Sequence, residues 1–244
     1  MLVLYKENRF IYIMNTFTES ELLDIYNRNI KLNDSYFYKY VNLPVCPVKK
    51  WNNSWDNRDF PRVLCVLDFI EWVKKYNIEN IDKLAITCTS DPELEFITST
   101  SVKLLEYPEY DLHTFSKKID EKFDFFIFNQ TLEHLYNPFL ALQNIYNVIN
   151  DNGYVFTSVP TLNIPHLMPF HYNGFTPAGL GMLFKSAGFE ILEIGQWGNL
   201  DYIQKLWSSH TWPDYNNLKN RNGQISNEEQ NVCQCWILAK KLSI

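Results

Sequence analysis

The stretch that most constrains the fold runs from Phe123 to Pro160, FDFFIFNQTLEHLYNPFLALQNIYNVINDNGYVFTSVP. Its opening run, Phe123 to Phe128, is continuously aromatic and aliphatic and too short for a helix, which suits a strand covered on both faces. A polar turn follows, then apolar residues at helical spacing, a stop at Asn152-Gly153 and a second apolar run. Together these predict one βαβ unit. The polar residues Asn129, Gln130, Thr131, Glu133 and His134 fall where its first strand ends. In open parallel sheets ligands sit outside the carboxyl ends of the strands, so this cluster is a candidate site. An ordinary helix start with solvated polar side chains would give the same letters.

Glycine narrows the choice of ligand. All eight glycines of the 244-residue chain lie at Gly153 or later. Phosphate cradles and dinucleotide turns need glycine for close backbone approach or positive φ, so a P-loop and a G-x-G-x-x-G fingerprint are excluded, and a dehydrogenase with them. The formal charge of −6 argues against a broad basic face, and no nucleic-acid partner is expected. Five cysteines, Cys46, Cys65, Cys88, Cys233 and Cys235, are scattered without a C-x-x-C pair. They indicate neither a disulfide framework nor a zinc site, and a reduced, cytoplasmic setting is the plain expectation. Lys6, Glu7 and Arg9 interrupt the apolar N-terminus, and no run of about 18 apolar residues occurs, so neither a signal peptide nor a membrane span is expected.

Taken in order, the capping-box spacing of Thr18 to Glu21 predicts a helix over 19–28, after a short strand or hairpin arm in 1–14. Residues 29–61 lack a period and carry Tyr36, Phe37, Tyr38, Tyr40, Trp51 and Trp55. They read as a cover segment, serving as a lid, a structural apron or a subunit contact, so a homo-oligomer stays open. This divides the chain into an N-terminal cover, 1–61, and an α/β domain, 62–244. A helix over 62–76 buries Val63, Val66, Leu67, Ile70 and Val73 on one face. A strand over 83–88, a helix from Pro92 to about Ser99 and a strand over 102–105 follow. After Pro160, prolines and a glycine keep His166, His171 and Tyr172 on a loop. Thr176 and Pro177 then start a helix that buries Leu180, Leu183, Phe184 and Ala187 and stops at Gly188. Strands over 189–195 and 232–240 flank a helix over 202–208 and a polar loop over 216–231, and Cys233, Cys235 and Ile237 alternate on one face of the last strand.

Strands alternating with helices imply an α/β fold with a doubly wound, mostly parallel sheet. The order Leu132-Glu133-His134, Asn137-Pro138, Asn152-Gly153-Tyr154, then a Pro/His loop and FTPAGLGMLFKSAGFEILEIG, resembles the second half of class I S-adenosylmethionine-dependent methyltransferases, in their small-molecule and sugar-type branch. The resemblance covers roughly residues 83–200. It implies a Rossmann-like methyltransferase fold, shortened in its first half because the interval from Thr89 to Phe123 is brief, with an antiparallel last strand.

The same resemblance implies S-adenosylmethionine as cofactor, with Thr87, Cys88 and Thr89 at the first turn, Glu106 for the ribose, Asp111 for adenine, and Asn129, Gln130 and Thr131 along the cofactor edge. In that family the first turn is glycine-rich, whereas here it reads Ile86-Thr87-Cys88-Thr89-Ser90-Asp91. Methyl transfer often needs a base for the acceptor's proton. His134 is the first candidate, with Glu133 orienting it or the substrate, and His166 and His171 from the next loop come second. The implied activity is methyl transfer to a small molecule such as a sugar hydroxyl or amine. The competing reading is a catalytically inactive relative that serves as a partner, regulatory or scaffold subunit.

Overall fold

A computed structural model describes residues 46–54, 58–166, 170–218 and 226–243, with positions 20, 21, 23–25 and 27. Those last positions are helical, in line with the capping-box spacing. The expected strand in 1–14 and most of the aromatic cover, including Tyr36, Phe37, Tyr38, Tyr40 and Trp55, lie outside the described residues. From the described part of that segment, Cys46 and Val48 are buried in the main core, and Trp51 packs against it.

Helix α1 (Phe60–Lys75) opens with proline in its first turn and leads into strand β1 (Asn80–Ile86). A 3-10 turn, Pro92–Phe96, separates β1 from β2 (Thr98–Leu104). The longer helix expected there is cut short because Ile97 is already extended and Thr98 starts the next strand. After a short 3-10 turn, Phe115–Lys118, come β3 (Phe123–Ile127), helix α2 (Pro138–Val148) and β4 (Ile149–Pro160). Helix α3 (Pro177–Ser186), β5 (Glu190–Gly198), helix α4 (Leu200–Ser209), a short helix α5 (Tyr215–Leu218) and β6 (Val232–Lys240) complete the chain.

The six strands form one sheet in the order β2-β1-β3-β4-β6-β5. The β2–β1, β1–β3 and β3–β4 pairs are parallel, and β6 runs antiparallel to both of its neighbours. This is the Rossmann-like methyltransferase arrangement, with a shortened first half and an antiparallel last strand. The strand order reverses between β1 and β3, which places a ligand crevice at the carboxyl ends of those two strands.

Each sheet face is covered. On one side α1 and α4 pack on Leu84, Ile86, Phe125, Ile127, Phe156 and Leu238. On the other, Ala85, Phe126, Phe128, Val155, Ile237 and Ala239 meet Ala141, Leu142 and Ile145 of α2 and Leu180 and Phe184 of α3. The α1 stripe Val63, Val66, Leu67, Ile70 and Val73 lies in the first core as expected. Thr176 Oγ1 accepts from Gly179 N at 3.1 Å to cap α3, and Gly188 ends it at φ 101°.

Two expectations need correction. Gly153 does not stop α2, which ends at Val148; it lies inside β4, and the positive φ falls on Asn152 at 64°. A Cβ on Gly153 would stand 2.8 Å from the carbonyl oxygen of Asn150, so the glycine serves close backbone approach at an irregular pairing of β3 with β4. Cys233 does not share a face with Cys235 and Ile237. It lies in the α1 core while they lie in the α2 core, beside a register shift at Trp197/Gly198.

All five cysteines are free thiols. Among the described residues, no helix is long and apolar enough to cross a membrane.

The α1 face is pinned by a buried polar contact. Trp236 Nε1 donates to Asp68 Oδ2 at 2.8 Å, and Gly195 makes room for the indole. A Cβ there would meet Trp236 Nε1 at 2.0 Å and Asp68 Oδ2 at 2.8 Å. Gly195→Ala should therefore cost about 1–3 kcal/mol through overpacking, read as a lower urea midpoint at unchanged m-value.

Candidate functional site at the carboxyl ends of the strands

The first turn, Thr87 to Asp91, is held by side chains from elsewhere. Arg62, projecting from the apolar face of α1, forms a two-pronged ion pair with fully buried Glu93 and stands 3.6 Å from Asp91 Oδ1. Burial opposes the guanidinium charge, but the Glu93 carboxylate outweighs it and holds Arg62 protonated. Lys50 Nζ donates to the carbonyls of Thr89 at 3.0 Å and Asp91 at 3.1 Å. Burial, then the nearby Glu93 charge, raise the Asp91 carboxyl to about 6, against the lowering effect of Arg62. Thr87 Oγ1 faces Thr131 Oγ1 at 3.4 Å across the crevice between β1 and β3, and Cys88 Sγ lies 3.0 Å from Ser90 Oγ.

Asn129 and Gln130 fasten the end of β3 to β4 as well as to the first turn. Asn129 Oδ1 accepts from Ser158 N at 3.0 Å and from Ser158 Oγ at 3.1 Å, while its Nδ2 donates to Asp91 Oδ2 at 3.1 Å. Gln130 Nε2 donates to the carbonyl of Ser158 at 3.1 Å, and its backbone takes a φ of 49°. Thr131 Oγ1 donates to the Asn129 carbonyl at 2.9 Å. Glu106 is exposed one residue beyond buried Leu105, which follows β2. Asp111 is turned to His113, accepting from its backbone N at 2.9 Å and lying 2.7 Å from its Nδ1.

Beside this crevice lies a second cluster. Leu132–His134 forms a 3-10 turn, and the Glu133 carbonyl accepts from Tyr172 N at 2.7 Å and Asn173 N at 3.2 Å. Asn173 Nδ2 adds a bond to the Leu135 carbonyl at 2.8 Å. The 170–173 segment is thereby zipped onto the turn, which brings His171 to Glu133 and His134, and His166 stands beside them. The ring centroids are 4.8 Å apart for His134–His166, 4.9 Å for His166–His171 and 6.0 Å for His134–His171. His134 Nε2 stands 3.8 Å from Glu133 Oε1. Burial, followed by the neighbouring imidazoles, lowers the pKa of His134 and of His171 from their ordinary value.

Glu133 is wholly buried, and among the described residues neither carboxylate oxygen has a hydrogen-bond partner. Burial raises its carboxyl to about 8, opposed only by its own amide. At the opposite, amino end of the strands lies an open groove of about 680 Å³ with Asp82, Asp124 and Asp151 on its wall. Asp124 there is satisfied by Asn150 Nδ2 at 2.8 Å and Lys83 N at 2.9 Å.

The sequence-predicted residues therefore divide between two adjoining places. Thr87, Cys88, Thr89, Asn129, Gln130 and Thr131 gather at the strand crossover, and Glu133, His134, His166 and His171 gather beside it. Asp111 is occupied by His113. Sequence reasoning missed Lys50, Arg62, Glu93 and Ser158. For Arg62 a signal existed: an arginine within the apolar helix stretch FPRVLCVL needs a buried partner.

A family profile described as "Methyltransferase domain" matches residues 15–194. The chain belongs to the class I S-adenosylmethionine-dependent methyltransferase family. No curated protein matches it. Among solved structures, it is similar to an S-adenosylmethionine-dependent methyltransferase from Clostridium acetobutylicum, at 10% identity over 89% of this chain and 99% of that one, TM-score 0.46. It is also similar to a SAM dependent methyltransferase from Archaeoglobus fulgidus, at 18% identity over 72% of this chain and 94% of that one, TM-score 0.45.

Around the first turn the described residues bring one cation, Lys50, and one carboxyl, Asp91, close to the Thr87 and Thr131 hydroxyls, while Glu106 stands exposed after β2.

Glu133 carries a pH signature. Its carboxyl titrates near 8 when folded and near 4.5 when unfolded, so the native state holds the extra proton between those values. Its contribution to stability is full below about pH 4.5 and is lost as pH rises through about 8. Between pH 5 and pH 8 the urea midpoint of the wild-type protein should fall more than that of Glu133→Gln, which has no such proton to lose.

Proposed function

We propose that this protein transfers a methyl group from S-adenosylmethionine to a small molecule, of the sugar-hydroxyl or amine type, in the cytoplasm. The observation that carries this reading is the set of three imidazoles and one carboxylate beside the strand crossover of a methyltransferase fold. A proton acceptor belongs there if the acceptor is a hydroxyl or an amine.

The bound cofactor supplies an electrophilic methyl group on a sulfonium. Glu106 would hold its ribose, with Lys50 and Asp91 at its amino-acid end and the Thr87 and Thr131 hydroxyls between. His134 Nδ1 donates to the Phe170 carbonyl at 2.8 Å, which leaves the Nε2 lone pair toward the cluster. Burial keeps this imidazole neutral at neutral pH, the form that takes a proton from the acceptor. His166 and His171 then share in positioning the acceptor, and Glu133 sets the polarity of the floor beneath it. The described Trp51 and the segment 29–61 around it are proposed as a cover for this domain.

A second reading, a non-catalytic family member that serves as a partner or scaffold subunit, draws on a different observation. Lys50 already satisfies the carbonyls of Thr89 and Asp91, so the first turn is complete without a ligand.

Calorimetric titration with S-adenosylhomocysteine separates the two. Binding is expected at micromolar to millimolar ligand, and its absence throughout that range would select the non-catalytic reading. In methyl transfer from labelled S-adenosylmethionine to a panel of free and nucleotide-linked sugars and small amines, His134→Ala should lower turnover by at least about 100-fold. It should leave S-adenosylhomocysteine binding intact, and full turnover by this variant would remove His134 as the base.

A further inference from the structure

The hydrogen bonds around the histidine cluster assign its tautomers. A carbonyl only accepts, so a ring nitrogen facing one carries the proton. Nδ1 of His134 faces the Phe170 carbonyl at 2.8 Å, and Nδ1 of His166 faces that of Ile164 at 3.0 Å. Nε2 of His171 faces the Asn173 carbonyl at 3.1 Å. The remaining nitrogens, Nε2 of His134, Nε2 of His166 and Nδ1 of His171, therefore bear lone pairs. That of His171 is buried and has no hydrogen-bond partner among the described residues. Orienting each imidazole by an N–H to a backbone carbonyl is the outer-shell arrangement of metal-ligating histidines.

The fourth group has the same character. Among the described residues neither buried Glu133 oxygen has a hydrogen-bond partner, and once its proton is lost the carboxylate adds a fourth acceptor to the three ring nitrogens. A cation is the ligand that meets acceptors of both kinds. One ligand atom from each of Glu133, His134 and His166 lies within 4.8 Å of the other two. A tetrahedral ion with bonds of about 2.1 Å holds its donors about 3.4 Å apart. The 3.8 Å between Glu133 Oε1 and His134 Nε2 is within a few tenths of an ångström of that spacing.

From this geometry we infer that Glu133, His134 and His166 form a binding site for a divalent transition-metal ion of the zinc type, with His171 beside it. Imidazole nitrogens with one carboxylate suit such ions, whereas magnesium and calcium favour all-oxygen sites. Part of the frame is set before any ion arrives, because Tyr172 N and Asn173 N bind the Glu133 carbonyl and the His134 and His166 rings are each oriented by a backbone carbonyl. What the ion does rests on the methyltransferase reading. Beside the cofactor crevice it is a Lewis acid that lowers the pKa of an acceptor hydroxyl. The O–H bond breaks, the electron pair stays on oxygen and the proton leaves to solvent. With the ion bound His134 is a ligand, and the ion takes over the activation assigned to that imidazole in the metal-free protein.

The test uses the whole chain, stripped with a chelator and then titrated with Zn2+ by calorimetry and with Co2+ by visible absorption. One ion per chain is expected, with Co2+ bands of a nitrogen and oxygen site lacking thiolate charge transfer. Glu133→Gln and His166→Ala should each weaken Zn2+ binding by at least about 100-fold, with cooperative unfolding retained by His166→Ala, whose side chain sits on a loop. Absence of saturable binding, thiolate bands, or wild-type affinity in both variants would overturn the site. S-adenosylhomocysteine is titrated separately into the metal-free protein. Binding of that ligand without Zn2+ binding refutes the metal site and leaves the methyltransferase reading standing. Zn2+ binding without it does the reverse.

Discussion

Strand β3 fixes where every functional group can stand. Its residues are buried from both sides, Phe125 and Ile127 against the α1 core and Phe126 against the α2 core. It pairs in parallel with β1 through Leu84–Ile86 and with β4 through Tyr154–Phe156. A strand so enclosed cannot slip by one residue without exchanging its two faces. Its carboxyl end is therefore a rigid point, and Asn129 to His134 leave the sheet from it. Ser158 on β4 ties that exit down by meeting both Asn129 and Gln130.

The first half of the domain shows what happens when a family fold loses an element. β2 is an edge strand, most of whose residues are half-buried or exposed, and its sequence TSTSVKL is correspondingly polar. Its connection from β1 carries a 3-10 turn in place of a helix. A turn that is neither glycine-shaped nor followed by a helix has to be positioned by something else. Here that is Arg62 from α1, which grips Glu93 and Asp91, and Lys50, which reaches Thr89 and Asp91 from an earlier segment. Ion pairs of this kind cost desolvation and give geometric definition in return. The segment around Val48 is consequently part of the domain's architecture, since Val48 is buried and Glu95 accepts from Lys49 N at 2.8 Å.

Much of this was legible in the sequence, and the division follows a physical line. Features written in local chemistry were readable: the β3 run, the Thr176-Pro177 start and Gly188 stop of α3, and the loop carrying His166 and His171. The gathering of Glu133 and His134 beside the switch point also followed from topology. What escaped depends on contacts between segments distant in the chain. Lys50 meets Thr89, 39 residues later, and Arg62 meets Glu93 across 31 residues. The strand boundaries at Thr98 and Ile149 were missed because polar residues on an edge strand, or at an irregular pairing, lack the alternation by which strands are recognised. The two-faced placement of Cys233 and Cys235 was missed because a register shift breaks the period of two.

Glu133 is the point at which folding and function pull against each other. An isolated buried carboxylate costs several kcal/mol, and a fold under no other demand would replace it by an apolar residue or supply a donor. Among the described residues this one has no hydrogen-bond partner, and it is the carbonyl of Glu133 that takes the Tyr172 and Asn173 amides. The backbone is satisfied while the side chain stands with Oε1 3.8 Å from His134 Nε2. Three imidazoles turned to present lone pairs repeat the pattern on every side. Below about pH 8 the proton on Glu133 keeps the cluster uncharged, and a cation bound among these groups would replace that proton. Packing alone offers no reason for a buried carboxyl and three imidazoles to converge at this point.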